Sequence, residues 1–252
     1  MSKKAASIIA GQIRSKPSSV LGLATGSTPL GTYKELIKMH RKEGLDFSRV
    51  TTFNLDEYYG LGPDHPQSYH RFMEENFFSK INAKKRRVHI PDGLTKNVGA
   101  FCLRYEEMIK QSGGVDIQLL GIGRDGHLGF NEPGSSLGSR TRVKTLTEET
   151  VRDNARFFSG QEKVPKLAIT MGVGTILDAK KLLLIASGEV KAEAVRDSIE
   201  GPVTSSVTAS ALQLHPHVTC VLDEPASRLL AQKYYYMYVE KVAETIEAEA
   251  RI

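Results

Sequence analysis

The chain has 252 residues, 40% of them apolar and 25% charged, with a formal net charge of +5 and two cysteines. That length predicts one large α/β domain over residues 1–252, and no apolar run approaches the roughly 18 residues that would cross a bilayer. Cys102 and Cys220 have neither metal nor redox spacing, and residues 1–6 show no signal-peptide pattern, so a cytoplasmic protein without membrane attachment is expected.

A helical pattern is under way by Ala5, and the first strand signal, residues 20–23, runs into Ala24-Thr25-Gly26-Ser27-Thr28-Pro29. Such a turn, with a proline suited to the start of the next helix, offers free backbone N–H groups, hydroxyls and the positive end of a helix dipole. It matches neither a Walker loop nor a dinucleotide fingerprint, so the expected ligand of Thr25, Gly26, Ser27 and Thr28 is a monophosphate. Helical periodicity follows over residues 33–43, then a strand at 50–55 that ends in Asp56-Glu57-Tyr58. Adjacent residues of an extended chain face opposite ways, so only one of these acids should reach a crevice at the strand's end. A carboxylate poised there suits the enolisation of a carbon beside a carbonyl. The basic run Lys84-Lys85-Arg86-Arg87 reads as a solvated loop face before a short strand at 88–90. No nucleic-acid partner is expected from it; a diffuse positive field suits an anionic metabolite instead.

A helix over 100–111 leads to a strand at 115–120, which opens into Gly121-Ile122-Gly123-Arg124-Asp125-Gly126-His127-Leu128-Gly129-Phe130-Asn131-Glu132-Pro133. Histidine gives and takes protons near neutral pH, and flanking carboxylates fix its tautomer and raise its basicity. Asp125, His127 and Glu132 are therefore candidate catalytic residues. A tight turn with a surface histidine shares the Asp-x-His core, but not the surrounding glycines or the Asn-Glu-Pro tail. Residues 135–144 are hydroxyl-rich and basic, and a helix over 149–158 carries Arg156. Strands are predicted at 167–171, 182–186 and 218–222, with a helix at 191–199 that places Lys191 at a strand-to-helix junction. Arginine and lysine are natural closers of a phosphate clamp. The pair His215 and His217 lacks companions at metal spacing, so no metal is expected. Residues 224–251 read as a terminal helix that docks on the body. The alternation predicts an open, mostly parallel, Rossmann-like α/β sheet with helices on both faces.

The segments 26–29, 54–58, 65–70, 121–133, 139–146, 154–158, 171–178 and 187–191, in this order, resemble the glucosamine-6-phosphate deaminase (isomerase) family over residues 21–223. The resemblance implies a sheet like that of ribose-5-phosphate isomerase and a cofactor-free reaction of amino-sugar catabolism: glucosamine 6-phosphate and water give fructose 6-phosphate and ammonia. It assigns ring opening to His127, with Asp125 and Glu132 setting its charge and orientation, and C2 proton abstraction to Asp56. The phosphate would sit on Gly26, Ser27 and Thr28, held also by Arg156 and Lys191. Some longer relatives form a homo-oligomer, a hexamer activated by N-acetylglucosamine 6-phosphate; Ser135, Arg142 and Lys144 match part of that allosteric site, whereas residues 234–238 do not. A 6-phosphogluconolactonase shares the Gly-x-Gly-x-Asp-Gly-His segment, and sugar-phosphate-sensing domains share a similar sheet. Residues 54–58 and 130–133 favour the deaminase pattern over both.

Overall fold

The structure, a computed structural model, describes residues 1–156, 158 and 163–249. Its strands are β1 (Val20–Leu23), β2 (Thr51–Asn54), β3 (Asp56–Tyr58), β4 (Val88–His89), β5 (Ile117–Leu120), β6 (Arg142–Thr145), β7 (Leu167–Thr170), β8 (Leu182–Ala186) and β9 (Val218–Leu222). The α-helices are α1 (Ser2–Ser15), α2 (Leu30–Glu43), α3 (Tyr69–Asn76), α4 (Val98–Gln111), α5 (Glu148–Ala155), α6 (Val173–Leu177), α7 (Ala192–Ile199) and α8 (Lys233–Glu249).

Six strands pair in parallel in the order β4-β2-β1-β5-β8-β9. Parallel sheets of this kind are covered on both faces, so their strands carry apolar side chains in both directions. In β8, Leu183 and Ile185 enter a core with Ile9 and Ile13 of α1 and Tyr33 and Leu36 of α2. The alternate residues, Leu182 and Leu184, enter a second core with Tyr105 and Ile109 of α4 and Val195 of α7. Each fully buried leucine or isoleucine contributes roughly 1.5–3 kcal/mol of transfer free energy. From β1 the chain runs outward to β2 and β4, then returns to β5 and leaves the other way through β8 and β9. The reversal between β1 and β5 opens a crevice at the carboxyl ends of those strands, where ligands of open α/β sheets bind.

Two expectations are corrected. The strand predicted at 167–171 does not join the parallel sheet; as β7 it is the middle of a separate antiparallel sheet, β3-β7-β6. After Leu55, whose N–H still bonds to Leu23 in the main sheet, the chain changes partner, and Asp56 pairs with Thr170. A small apolar cluster of Tyr58, Phe130, Leu146, Val164 and Ala168 holds this second sheet. The terminal segment forms α8, but Tyr234, Tyr235, Met237 and Tyr238 are each more than half exposed. Both faces of the main sheet are already filled by α1, α2, α4 and α7; α8 is tied to the body by polar contacts such as Glu240 to Lys4, 3.1 Å. The helix predicted over 149–158 is α5, ending at Ala155; Phe157 in that range, and residues 250 and 251 of the terminal segment, lie outside the described residues. Among the described residues, no helix is long and apolar enough to cross a membrane. Lys84, Lys85 and Arg86 are exposed at a short 3-10 turn before β4.

Candidate active site

The turn after β1 is shaped by Gly26, whose φ of 99° lies in the left-handed region that a β-carbon disfavours. It delivers the backbone of residues 26–28 to the start of α2, whose N-terminal N–H groups carry partial positive charge. Thr25, Gly26, Ser27 and Thr28 line an open cleft at the β1–β5 reversal. The cationic side chains of Arg124, Arg156 and Lys191 line the same cleft. Burial pushes the Lys191 ammonium below the ordinary lysine range, against the attraction of Asp153 and Asp125. An anion arriving beside it would offset the cost of that burial and favour the charged form.

The loop after β5 folds back on itself, with Gly123 N–H bonding to the carbonyl of His127. A β-carbon at Gly123 would lie 2.4 Å from the His127 ring, so only glycine lets the imidazole sit there. His127 Nδ1 is 2.7 Å from Asp125 Oδ1 and 3.6 Å from Glu132 Oε2. Asp125 Oδ1 also accepts the N–H of His127 at 3.2 Å. Partial burial would raise the Asp125 carboxyl, but these bonds to His127 outweigh it and hold the group below the usual carboxylate range. The Asp125 carboxylate 2.7 Å from Nδ1 favours the tautomer that keeps the proton there and leaves Nε2 for proton transfer, although Nδ1 has no partner at hydrogen-bond geometry. Glu132 is buried beneath the ring and accepts the N–H of Thr147 at 3.2 Å. Asp125, His127 and Glu132 also bring three metal-capable donor atoms within 4.8 Å of one another.

Asp56 reaches the cleft from the end of β2, on the first residue of β3. Gly129, with φ of 57°, brings the histidine loop against it: a β-carbon there would be 3.2 Å from Asp56 Oδ2 and 2.9 Å from Thr170 Oγ1. Desolvation, and then the neighbouring charge of Glu57, push the Asp56 carboxyl up to about 8. A carboxylate so raised is a far stronger base than an exposed one.

The cleft thus gathers Thr25, Gly26, Ser27, Thr28, Asp56, Asp125, His127, Arg156 and Lys191, with Glu132 behind the imidazole. Ser135, Arg142 and Lys144 stand outside it. Ser135 is buried with no protein partner for its hydroxyl, Arg142 donates to Asn131 Oδ1 at 2.9 Å, and Lys144 follows on the same face of β6. Sequence reasoning missed Tyr69, Arg124, Asp153 and Asn154, which also line the cleft. Tyr69 had a signal: it follows Ser68, whose Oγ caps α3 by accepting the N–H of Arg71. Such a serine marks a helix start that presents its first side chains to whatever lies before it.

Comparison with known proteins adds to this geometry. The family described as glucosamine-6-phosphate isomerases/6-phosphogluconolactonase matches residues 1–220. A glucosamine-6-phosphate deaminase of Thermoanaerobacter pseudethanolicus is 56% identical over 230 residues, 91% of each chain. One of Halothermothrix orenii is 54% identical over 230 residues, 91% of this chain and 95% of its own. A solved monomeric glucosamine-6-phosphate deaminase superposes with a TM-score of 0.88 at 52% identity, covering 90% of this chain and 95% of its own. The 6-phosphogluconolactonase of Trypanosoma brucei, at 21% identity and a TM-score of 0.65 over 92% of this chain and 96% of its own, shares the fold.

Proposed function

The chain belongs to the glucosamine-6-phosphate isomerase/6-phosphogluconolactonase family, and from that premise we propose that it deaminates glucosamine 6-phosphate, giving fructose 6-phosphate and ammonia without a cofactor. The observation that carries this reading is the buried, strongly basic Asp56 beside the loop that presents His127. Deamination of a cyclic 2-amino sugar needs two separate proton-transfer groups, one to open the ring and one to remove a proton from carbon. Lactone hydrolysis needs no carbon base.

His127 moves the proton of the anomeric hydroxyl to the ring oxygen, and Asp125 and Glu132 stabilise the imidazolium formed in passing. Asp56 then removes the C2 proton of the open-chain aldehyde; the electron pair forms the C1–C2 double bond as the C1 carbonyl π bond opens and its oxygen takes a proton from the C2 ammonium. Return of the proton at C1 leaves an imine at C2. Water adds to that carbon, ammonia leaves, and the C2 carbonyl of fructose 6-phosphate remains. Each positioned transfer supplies about 10²- to 10⁴-fold. The phosphate, held by Thr25, Gly26, Ser27 and Thr28 with Arg156 and Lys191, is remote from the reacting carbons, so its binding is spent on orientation.

In this reading a homo-oligomer would add regulation to that chemistry. Ser135, Arg142 and Lys144 form the proposed site for N-acetylglucosamine 6-phosphate, with Arg142 on Asn131, the neighbour of Glu132, as its connection to the histidine. A cytoplasmic location belongs to the same reading. The deciding experiment is a coupled ammonia assay with glucosamine 6-phosphate, with and without N-acetylglucosamine 6-phosphate, beside a lactone-hydrolysis assay. Equal yields of ammonia and fructose 6-phosphate are expected. Lactone hydrolysis without ammonia would overturn the proposal, and an unchanged rate with the acetylated sugar would remove the regulatory site alone.

A further inference from the structure

Beside Asp56 lies a second carboxylate that the reaction above does not use. Glu57 is fully buried, on the opposite side of β3. Its Oε1 accepts the N–H of Tyr58 at 2.8 Å and that of Tyr69 at 3.0 Å. Its Oε2 accepts the N–H of His70 at 3.0 Å and lies 3.0 Å from His70 Nδ1. Tyr69 and His70 open α3, so one side chain closes N–H groups that the helix leaves without internal partners. Behind the glutamate, a β-carbon at Gly93 would strike the carbonyls of Tyr58 and Leu61 at 2.4 and 2.5 Å, so that side cannot give way.

A buried carboxyl group held by backbone N–H groups and a histidine, with no lysine or arginine against it among the described residues, places a polar group in the interior. An apolar filling of the same space would often be no less stable, which directs attention to what the charge does. It acts in two directions. Through α3 it fixes Tyr69, which lines the cleft and shares hydrogen bonds with Tyr58 and Thr25, the first residue of the phosphate turn. Through the backbone it sets a charge one residue from Asp56.

We propose that Glu57 is a positioning residue for the deamination: its carboxylate clamps α3 and Tyr69 to the cleft, and it stands one residue from Asp56 on the other face of β3, where it acts on the group that removes the C2 proton. This rests on Asp56 being that base. The other titratable groups around the pair are Tyr58 on the same strand, Tyr69 and His70 on α3, Tyr105 on α4, and His127 on the loop across the cleft.

Glu57→Gln keeps the shape and removes the charge. The acid limb of the kcat profile should move down by about one pH unit, the plateau kcat should fall by about tenfold as Asp56 becomes a weaker base, and KM should change little. Glu57→Asp keeps the charge but is one methylene short of α3. Its acid limb should stay at the wild-type position while kcat falls several-fold. Should Glu57→Gln fail to give a cooperative thermal melt, Glu57→Asp decides, and a wild-type kcat there overturns the proposal. Asp56→Asn, assayed in parallel for C2 proton exchange with solvent, separates the two readings. Retained exchange in that variant removes Asp56 as the base, and this role for Glu57 with it. Loss of exchange in Asp56→Asn, together with a wild-type pH profile in Glu57→Gln, overturns the role of Glu57 alone.

Discussion

Two buried aspartates stand at opposite ends of the main sheet and are treated in opposite ways. At the amino end Asp116, just before β5, accepts the N–H of Val20 at 2.8 Å and is gripped by the ammonium groups of Lys16 and Lys180, each at 2.7 Å. Burial alone would raise its carboxyl, but the two lysines and that N–H more than offset it and bring the group below the usual range. At the carboxyl end Asp56 is equally buried, yet desolvation and the neighbouring Glu57 raise its carboxyl to about 8. One end satisfies its charge and holds strands in register; the other leaves its charge unsatisfied and so keeps a reactive base. The fold spends its good electrostatics where no substrate comes.

The largest effect should come from removing the unsatisfied charge. Asp56→Asn should lower kcat by about 10³-fold or more, with loss of C2 proton exchange and with phosphate-dependent substrate binding kept. Next in size is His127→Gln, expected to slow turnover of the cyclic sugar by about 10²- to 10⁴-fold and that of an open-chain analogue far less. Equal slowing of both would take ring opening away from His127. The counterpart at the amino end is Asp116→Asn, which should lower stability by roughly 1–3 kcal/mol, since the lysines are half exposed and screened by solvent. Its kcat per folded molecule should equal wild type; a fall in kcat would break the division between the two ends.

How much of this was legible in the sequence follows the same division. The main-sheet strands could be read because both of their faces are buried, as in Leu182-Leu183-Leu184-Ile185-Ala186 of β8. In the second sheet β3 has three residues and β6 is an alternating Arg-Val-Lys-Thr edge, too short and too polar to stand out. β7 was visible as a strand, but its partners depend on where the chain turns after Leu55, which no local pattern records. Asp56, Asp125 and His127 could be picked out because strand ends in open sheets face a crevice. For Tyr69 the sequence offered only the helix start at Ser68; its place in the cleft depends on Glu57, twelve positions back along the chain. The apolar arc of α8 did predict a helix, but not that Tyr234, Tyr235, Met237 and Tyr238 would stay more than half exposed.

The smallest and most discriminating effect is one of pH on stability. A carboxyl raised from its unfolded value near 4 to about 8 is protonated in the folded chain while already ionised in the unfolded one. Between those values the folded state binds more protons, so this group's contribution to stability is complete at low pH and is lost as pH rises toward 8. Asp116 has the reverse sign: its carboxyl is lowered, so its contribution is present at neutral pH and is lost only below about pH 4. Asp56→Asn should therefore match wild type in urea melts only near pH 4 and exceed it by about 1.4 kcal/mol more for each pH unit up to pH 8, whereas Asp116→Asn should be the weaker protein at neutral pH and above. A gain in stability that does not grow with pH would mean that Asp56 is not held protonated, and the contrast between the two ends of the sheet would lose its physical cause.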